Sequence, residues 1–179
     1  MTVTYDQLAA LWGSEGLIRF PFERFDDVLS PLPPEALPPA GVLPGAVPIL
    51  FMADTRVEGI GLFSKLKIEI GDEGPRIYIV LGSSPEDPQM LFCVDSVTGA
   101  VVLLDLETPN FEAVNGTLAA FVEFLYRLGR LIVNDPGGRA RADRAAAIRA
   151  ELINVDPSAF ADPESWWNMA FDQLEATGR

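Results

Sequence analysis

Residues 90–105, MLFCVDSVTGAVVLLD, decide the fold. Two apolar runs, MLFCVD and AVVLLD, flank the short segment SVTG, in which Gly99 can take the positive φ that a tight turn needs. Apolar runs of this length either side of a turn signal make an antiparallel hairpin. Three more strands are expected upstream. PILFMA (48–53) is a compact apolar run suited to a buried strand. Between residues 60 and 70, Leu66, Ile68 and Ile70 alternate with Lys65, Lys67 and Glu69 across two faces. RIYIVLG (76–82) is the third. Five strands in succession predict a largely antiparallel sheet.

The flanks are helical. At the start, Thr4 and Gln7 have the spacing of a capping box, and Leu8, Leu11 and Trp12 fall on one face of a short docking helix. Leu17–Phe20 suits a short strand, and FERFDDVLS one or two helical turns. The proline-dense stretch 30–48 lacks the backbone donors an interior element needs, so it is expected as a surface crossing. After the hairpin, Asn115 is a candidate N-cap. Leu118, Phe121, Val122, Leu125, Leu128 and Ile132 then repeat at three and four, which is a core stripe. RARADRAAAIRAEL (139–152) forms a second helix, whose arginines are expected to pair with acids of the fold or to face solvent. DPESWWNMAFDQLEATG forms a third, with Asp162 as cap, Pro163 at its first position and Gly178 beyond its end. Trp167, Ala170, Phe171 and Leu174 share its docking face, while Trp166 points elsewhere. The fold class is therefore α+β. One domain spans residues 1–179, with a sheet of five or six strands, an N-terminal helix and a helical part at 115–177 packed on it.

Composition narrows the function. A chain of 179 residues buries about 70% of its unfolded surface, enough for a core without staples. Thirteen bases face twenty-six acids, a formal charge of −13 on a body of about 16 Å radius of gyration. Such a surface repels nucleic acid and anionic membrane and favours a basic partner. There is no histidine and a single cysteine, Cys93, inside an apolar run where a buried, inert thiol is expected. No Ser–His or Cys–His machinery can be assembled, and a zinc site would lack its usual ligands. No phosphate loop or calcium-loop pattern is present, and the adjacent pairs Asp26–Asp27 and Glu86–Asp87 match neither. A two-carboxylate hydrolase remains possible by composition, but no spacing singles out a pair. No cofactor is expected. The opening MTVTYDQLAALWG has no signal-peptide pattern, and no apolar run is long enough to span a bilayer, so a soluble cytoplasmic protein is expected.

Five stretches carry a family resemblance. RFPFERF (19–25) resembles an early Phe–Pro element after a first helix. LPPAGVLPGAVPILF (37–51) resembles a Leu…Gly-Leu-Pro…Phe segment, with Val42 inserted between Gly41 and Leu43. VDSVTGAVVLLD (94–105), VNGTLAAFVEFL (114–125) and ESWWNMAFDQLEATG (164–178) resemble a hairpin, an Asn-led helix and a closing Trp helix. In this order they resemble the SUKH superfamily, and within it the fourth subfamily of bacterial immunity proteins, over nearly the whole chain. The resemblance implies a SUKH-like fold and a non-catalytic protein. Such a protein binds and neutralises a cognate polymorphic toxin in the cytoplasm, commonly a nuclease or nucleic-acid deaminase with a basic cleft. An intracellular adaptor on the same fold is the alternative. Acids flanking the strands and turns are the candidate partner-binding residues: Asp26, Asp27, Asp54, Glu58, Asp95 and Glu107.

Overall fold

The computed structural model describes residues 2–38 and 40–176. The chain opens with helix α1 (Tyr5–Trp12), closed by the expected capping box: Thr4 Oγ1 accepts from Gln7 N at 3.3 Å, and Gln7 Oε1 accepts from Thr4 N at 2.9 Å. Strand β1 (Leu17–Arg19) follows, then the short helix α2 (Asp26–Leu29). The proline-dense crossing departs from expectation. Its Val42–Pro44 segment is a buried strand, β2, that pairs antiparallel with β1. Pro44 ends β2, in register with Leu17, and Leu43 is fully buried. Proline is tolerated at a strand end where no ladder donor is needed.

Among the described residues the main sheet has seven strands. In chain order they are β3 (Ala46–Val47), β4 (Phe51–Met52), β5 (Lys65–Glu69), β6 (Pro75–Ser83), β7 (Met90–Asp95), β8 (Val101–Asp105) and β9 (Asn110–Asn115). Every pairing is antiparallel, in the order β3-β4-β6-β7-β8-β9. β5 lies beside the first half of β6, while β4 meets its last residue, so one long strand serves two partners. The β7–β8 hairpin is as expected, with Gly99 at φ +76°. PILFMA is strand only at Phe51–Met52, because residues 48–50 turn. β9 was not expected. Its FEAVN sequence runs straight into the helical stripe, and Asn115 invites reading as the cap.

The sheet has two apolar faces. On the inner face Ile79, Leu81, Phe92, Val94, Leu103 and Val114 join the helices in the main core. On the outer face Tyr78, Val80, Leu91, Cys93 and Leu104 form a smaller cluster, roofed by Val57 and Ile60 of the preceding loop and flanked by Leu66 and Ile68 of β5. This is the period of two working through the sheet. Burial pushes the Cys93 thiol up to about 12, so it is an inert core group.

Helices α3 (Leu118–Val133) and α5 (Trp166–Ala176) cover the inner face, and α4 (Gly138–Val155) packs on both of them. Two caps differ from expectation. Thr117, not Asn115, caps α3, accepting from Ala120 N at 3.0 Å. Asn115 ends β9 instead, and its buried side chain links two other elements. Its Nδ2 donates to Asp156 Oδ2 (3.0 Å), and its Oδ1 accepts from Trp167 Nε1 (2.9 Å). At α5, Asp162 holds the preceding turn, while Ser165 accepts from Asn168 N and Met169 N. The stop expected at Gly178 lies outside the described residues. Trp167 and Phe171 are fully buried, and each such side chain contributes about 1.5–3 kcal/mol through burial. Of the helix arginines, Arg149 binds Asp172, Glu175 and Asn168, and Arg141 binds Asp135. No described helix is long and apolar enough to cross a membrane.

Candidate partner-binding site

The antiparallel register decides which loops meet. Ser83 pairs with Leu91, Met90 with Asp105, and Asp105 with Asn110. The β6–β7 loop and the β8–β9 turn therefore lie at one end of the sheet, joined by Leu106 N donating to Gln89 O at 3.1 Å. Met52 pairs with Ser83, which brings the β3–β4 turn to the same end. The β7–β8 turn lies at the opposite end.

The six acids expected to bind a partner separate accordingly. Asp54 and Glu107 belong to the first end and are exposed. The Asp54 carbonyl is tied to Ser83 Oγ at 2.8 Å, and Glu107 N donates to Asp105 Oδ1 at 2.8 Å. Glu58 is exposed on the loop that roofs the outer face. Asp26 and Asp27 are exposed on α2, where Asp27 meets Lys65 of β5 at 3.3 Å. Asp95 differs from the other five. It is 3% exposed, bound to Arg76 Nη1 at 2.9 Å, and it accepts from Val97 N and Thr98 N to close the hairpin turn. That carboxylate is committed to the fold, because a strand end facing a tight turn needs an acceptor for the turn's free N–H groups.

A groove of about 430 Å³ opens at the first end, between α5 and the inner face of the sheet. Met90 and Leu103 form its floor, and Trp166, Met169 and Ala170 form the helical wall. Trp166 stands edge-on to Phe92 with centroids 5.6 Å apart, which fixes its ring at the groove. Ile49 and Leu50 of the β3–β4 turn make the far rim. Ile49 and Met169 are each 55% exposed.

Two features set this groove apart. Ile49 sits at φ +61°, a left-handed conformation that costs a β-branched residue about 1–2 kcal/mol. Phe63, at φ +60°, is comparable, but its ring is buried against Phe20 and its N–H donates to Val80 O at 2.8 Å. Ile49 has no such burial.

The second feature is Glu112 of β9, which pairs with Leu103 and faces α5. Among the described residues its Oε1 is buried without a hydrogen-bond partner. Desolvation raises its pKa, the nearby Trp166 backbone N–H dipole opposes the rise, and Asp162 adds to it. Glu86 and Asp87 rim the groove on the β6–β7 loop. Arg141 also lines it, with its Nε on Asp135 Oδ1 at 2.8 Å. Sequence reasoning noticed Glu86–Asp87 only as a pair lacking calcium spacing and missed Glu112 altogether. Only the alternation of β9 could have shown Glu112 facing inward, and β9 was not expected.

The groove is apolar in its walls and acidic at its rim, and no three His, Cys, Asp or Glu side chains gather as metal ligands among the described residues. These features define an α+β protein with an apolar, acid-rimmed groove between its last described helix and its sheet. The chain belongs to the SUKH-4 immunity protein family, whose model matches residues 3–173. No curated protein and no solved structure gives a significant match.

Proposed function

We propose that the protein is a non-catalytic immunity protein that binds a cognate bacterial toxin in the cytoplasm and blocks its action on nucleic acid. The observation that carries this reading is the family match across residues 3–173 of the chain. The charge supports it. A toxin that grips nucleic acid presents a basic cleft, and a body at −13 is steered onto such a surface. Asp54, Glu107, Glu58, Asp26 and Asp27 are all exposed and available for that contact. Asp27 is partly occupied by Lys65.

The test is a tagged capture from the native host, followed by function. The captured partner's terminal domain, expressed alone, is expected to arrest growth, and co-expression with this chain to restore it. Capture of partners that arrest nothing overturns the reading in favour of an intracellular adaptor. Reversing the charge of the five exposed acids one at a time locates the contact. Neutralisation unchanged at all five removes them from it.

A further inference from the structure

We propose that the groove between α5 and the β6–β7 loop receives an arginine or lysine side chain of the toxin, its stem against Trp166 and Met90 and its cationic head on Glu112. The inference rests on the immunity reading for the partner's identity, but the chemistry of the groove stands by itself. Among the described residues Glu112 Oε1 is a buried acceptor without a donor, and a buried polar atom in that state is costly until it is paired. The missing donor is cationic, because Glu86, Asp87 and Asp162 add negative charge around it. Arg141, the cation on the wall, carries Asp135 on its Nε. The walls fit the rest of such a residue. Long basic side chains bury an aliphatic stem while the head seeks an acceptor, and indole faces favour a cation. Ile49 and Met169 extend the apolar rim outward, so the neighbours of the basic residue in the partner are apolar. A β-branched residue held left-handed and exposed is the kind of strained position found at binding sites.

Two experiments separate this proposal from the immunity reading. The first uses the full chain alone, with NMR signals of the Trp166 indole N–H and the Met169 methyl as reporters. Nα-acetyl-arginine amide is the probe, and the isosteric, uncharged acetyl-citrulline amide is the control. Both reporters are expected to shift with arginine in the millimolar range and not with citrulline, and Glu112→Gln is expected to abolish the response. Equal responses to both compounds, no response to arginine, or an unchanged response in Glu112→Gln overturns the proposal. The second experiment measures affinity for the captured toxin domain. Glu112→Gln and Met169→Asp are expected to weaken it by at least about tenfold, while thermal melts confirm folding. Full neutralisation by both variants overturns the groove as anchor and leaves the immunity reading intact. An arginine response in a chain that neutralises no toxin overturns the immunity reading and leaves the groove chemistry intact.

Discussion

Asn115→Ala removes a side chain that makes two buried hydrogen bonds between elements far apart in sequence. Its Nδ2 donates to Asp156 Oδ2 at 3.0 Å, and its Oδ1 accepts from Trp167 Nε1 at 2.9 Å. Asp156 is 6% exposed and also accepts from Gly116 N at 2.7 Å and Ser158 Oγ at 2.5 Å. Alanine leaves the fully buried Trp167 with its indole N–H unpaired and takes one donor from a buried carboxylate. A buried donor left unpaired costs about 1–3 kcal/mol, and a hydrogen bond to a charged group is worth about 1.5–3 kcal/mol. The expected loss is therefore about 3–5 kcal/mol, a large part of a domain's stability. For a chain of this size that is a fall in Tm on the order of 10 °C. Thr117→Ala, by contrast, removes only the cap on Ala120 N and costs about 1 kcal/mol. Urea unfolding followed by tryptophan fluorescence and by circular dichroism gives both values. A larger loss for Thr117→Ala, or an Asn115→Ala protein close to wild type, refutes the assignment of roles. An Asn115→Ala/Asp156→Ala double mutant should lose less than the sum of the single mutants, because they share one network.

Further outcomes follow from the same packing. Gly82 sits at a bulge where an added Cβ would lie 2.0 Å from Met52 O and 2.8 Å from the Phe51 ring, so Gly82→Ala should cost about 3 kcal/mol or more by pushing β4 off β6. Gly59→Ala, with open space around it but φ +80°, should cost only about 1–2 kcal/mol; equal urea midpoints for the two variants would contradict the close contact. Cys93 should resist iodoacetamide at pH 8 in the folded chain and react only on unfolding, because its thiol is buried and pushed up to about 12; rapid native labelling would show that the sheet opens. Glu112→Gln should stabilise the free chain at neutral pH. Burial raises this carboxyl's pKa, so the folded state holds its proton to higher pH than the unfolded state, and stability falls as pH rises through that window. The variant's advantage should therefore shrink as pH drops through the carboxylate range, and a constant advantage would show that Glu112 is not the group titrating.

What was legible was whatever a local period could carry. The alternation of Leu66, Ile68 and Ile70 put β5 on the sheet, and the stripe from Leu118 put α3 on the core. The hairpin at Gly99 and the Thr4–Gln7 box needed only neighbours in sequence. Most of the misses share one cause: the deciding contact was long-range. β2 is a strand because β1 lies beside it, although its proline argued otherwise. Asn115 looked like a cap because caps are recognised by residue type, yet its partners are 41 and 52 residues away. Asp95 looked like a surface acid because it borders a turn. Arg76, 19 residues earlier, and the turn's own N–H groups claim it. Glu112 was invisible for the same reason, since only the packing of α5 on β9 makes its carboxylate unusual.

The free chain carries three uncompensated costs, and they bear on one another. Thirteen excess negative charges repel within one small body, which favours solubility but works against compactness. Glu112 holds a buried oxygen with no donor among the described residues, and Ile49 is held left-handed at the rim of the same groove. None of these helps the protein fold. A cation arriving from a partner relieves the first two together, since it neutralises charge and supplies the missing donor. Contact with an apolar surface beside it removes Ile49 and Met169 from water. The relief appears only in the complex, so by linkage it adds to affinity and to the stability of the bound chain, not of the free one. Two of these costs meet at one end of the sheet, and a cation with an apolar neighbour answers the buried oxygen and covers the exposed rim, which is what separates a binding groove from a gap in the packing.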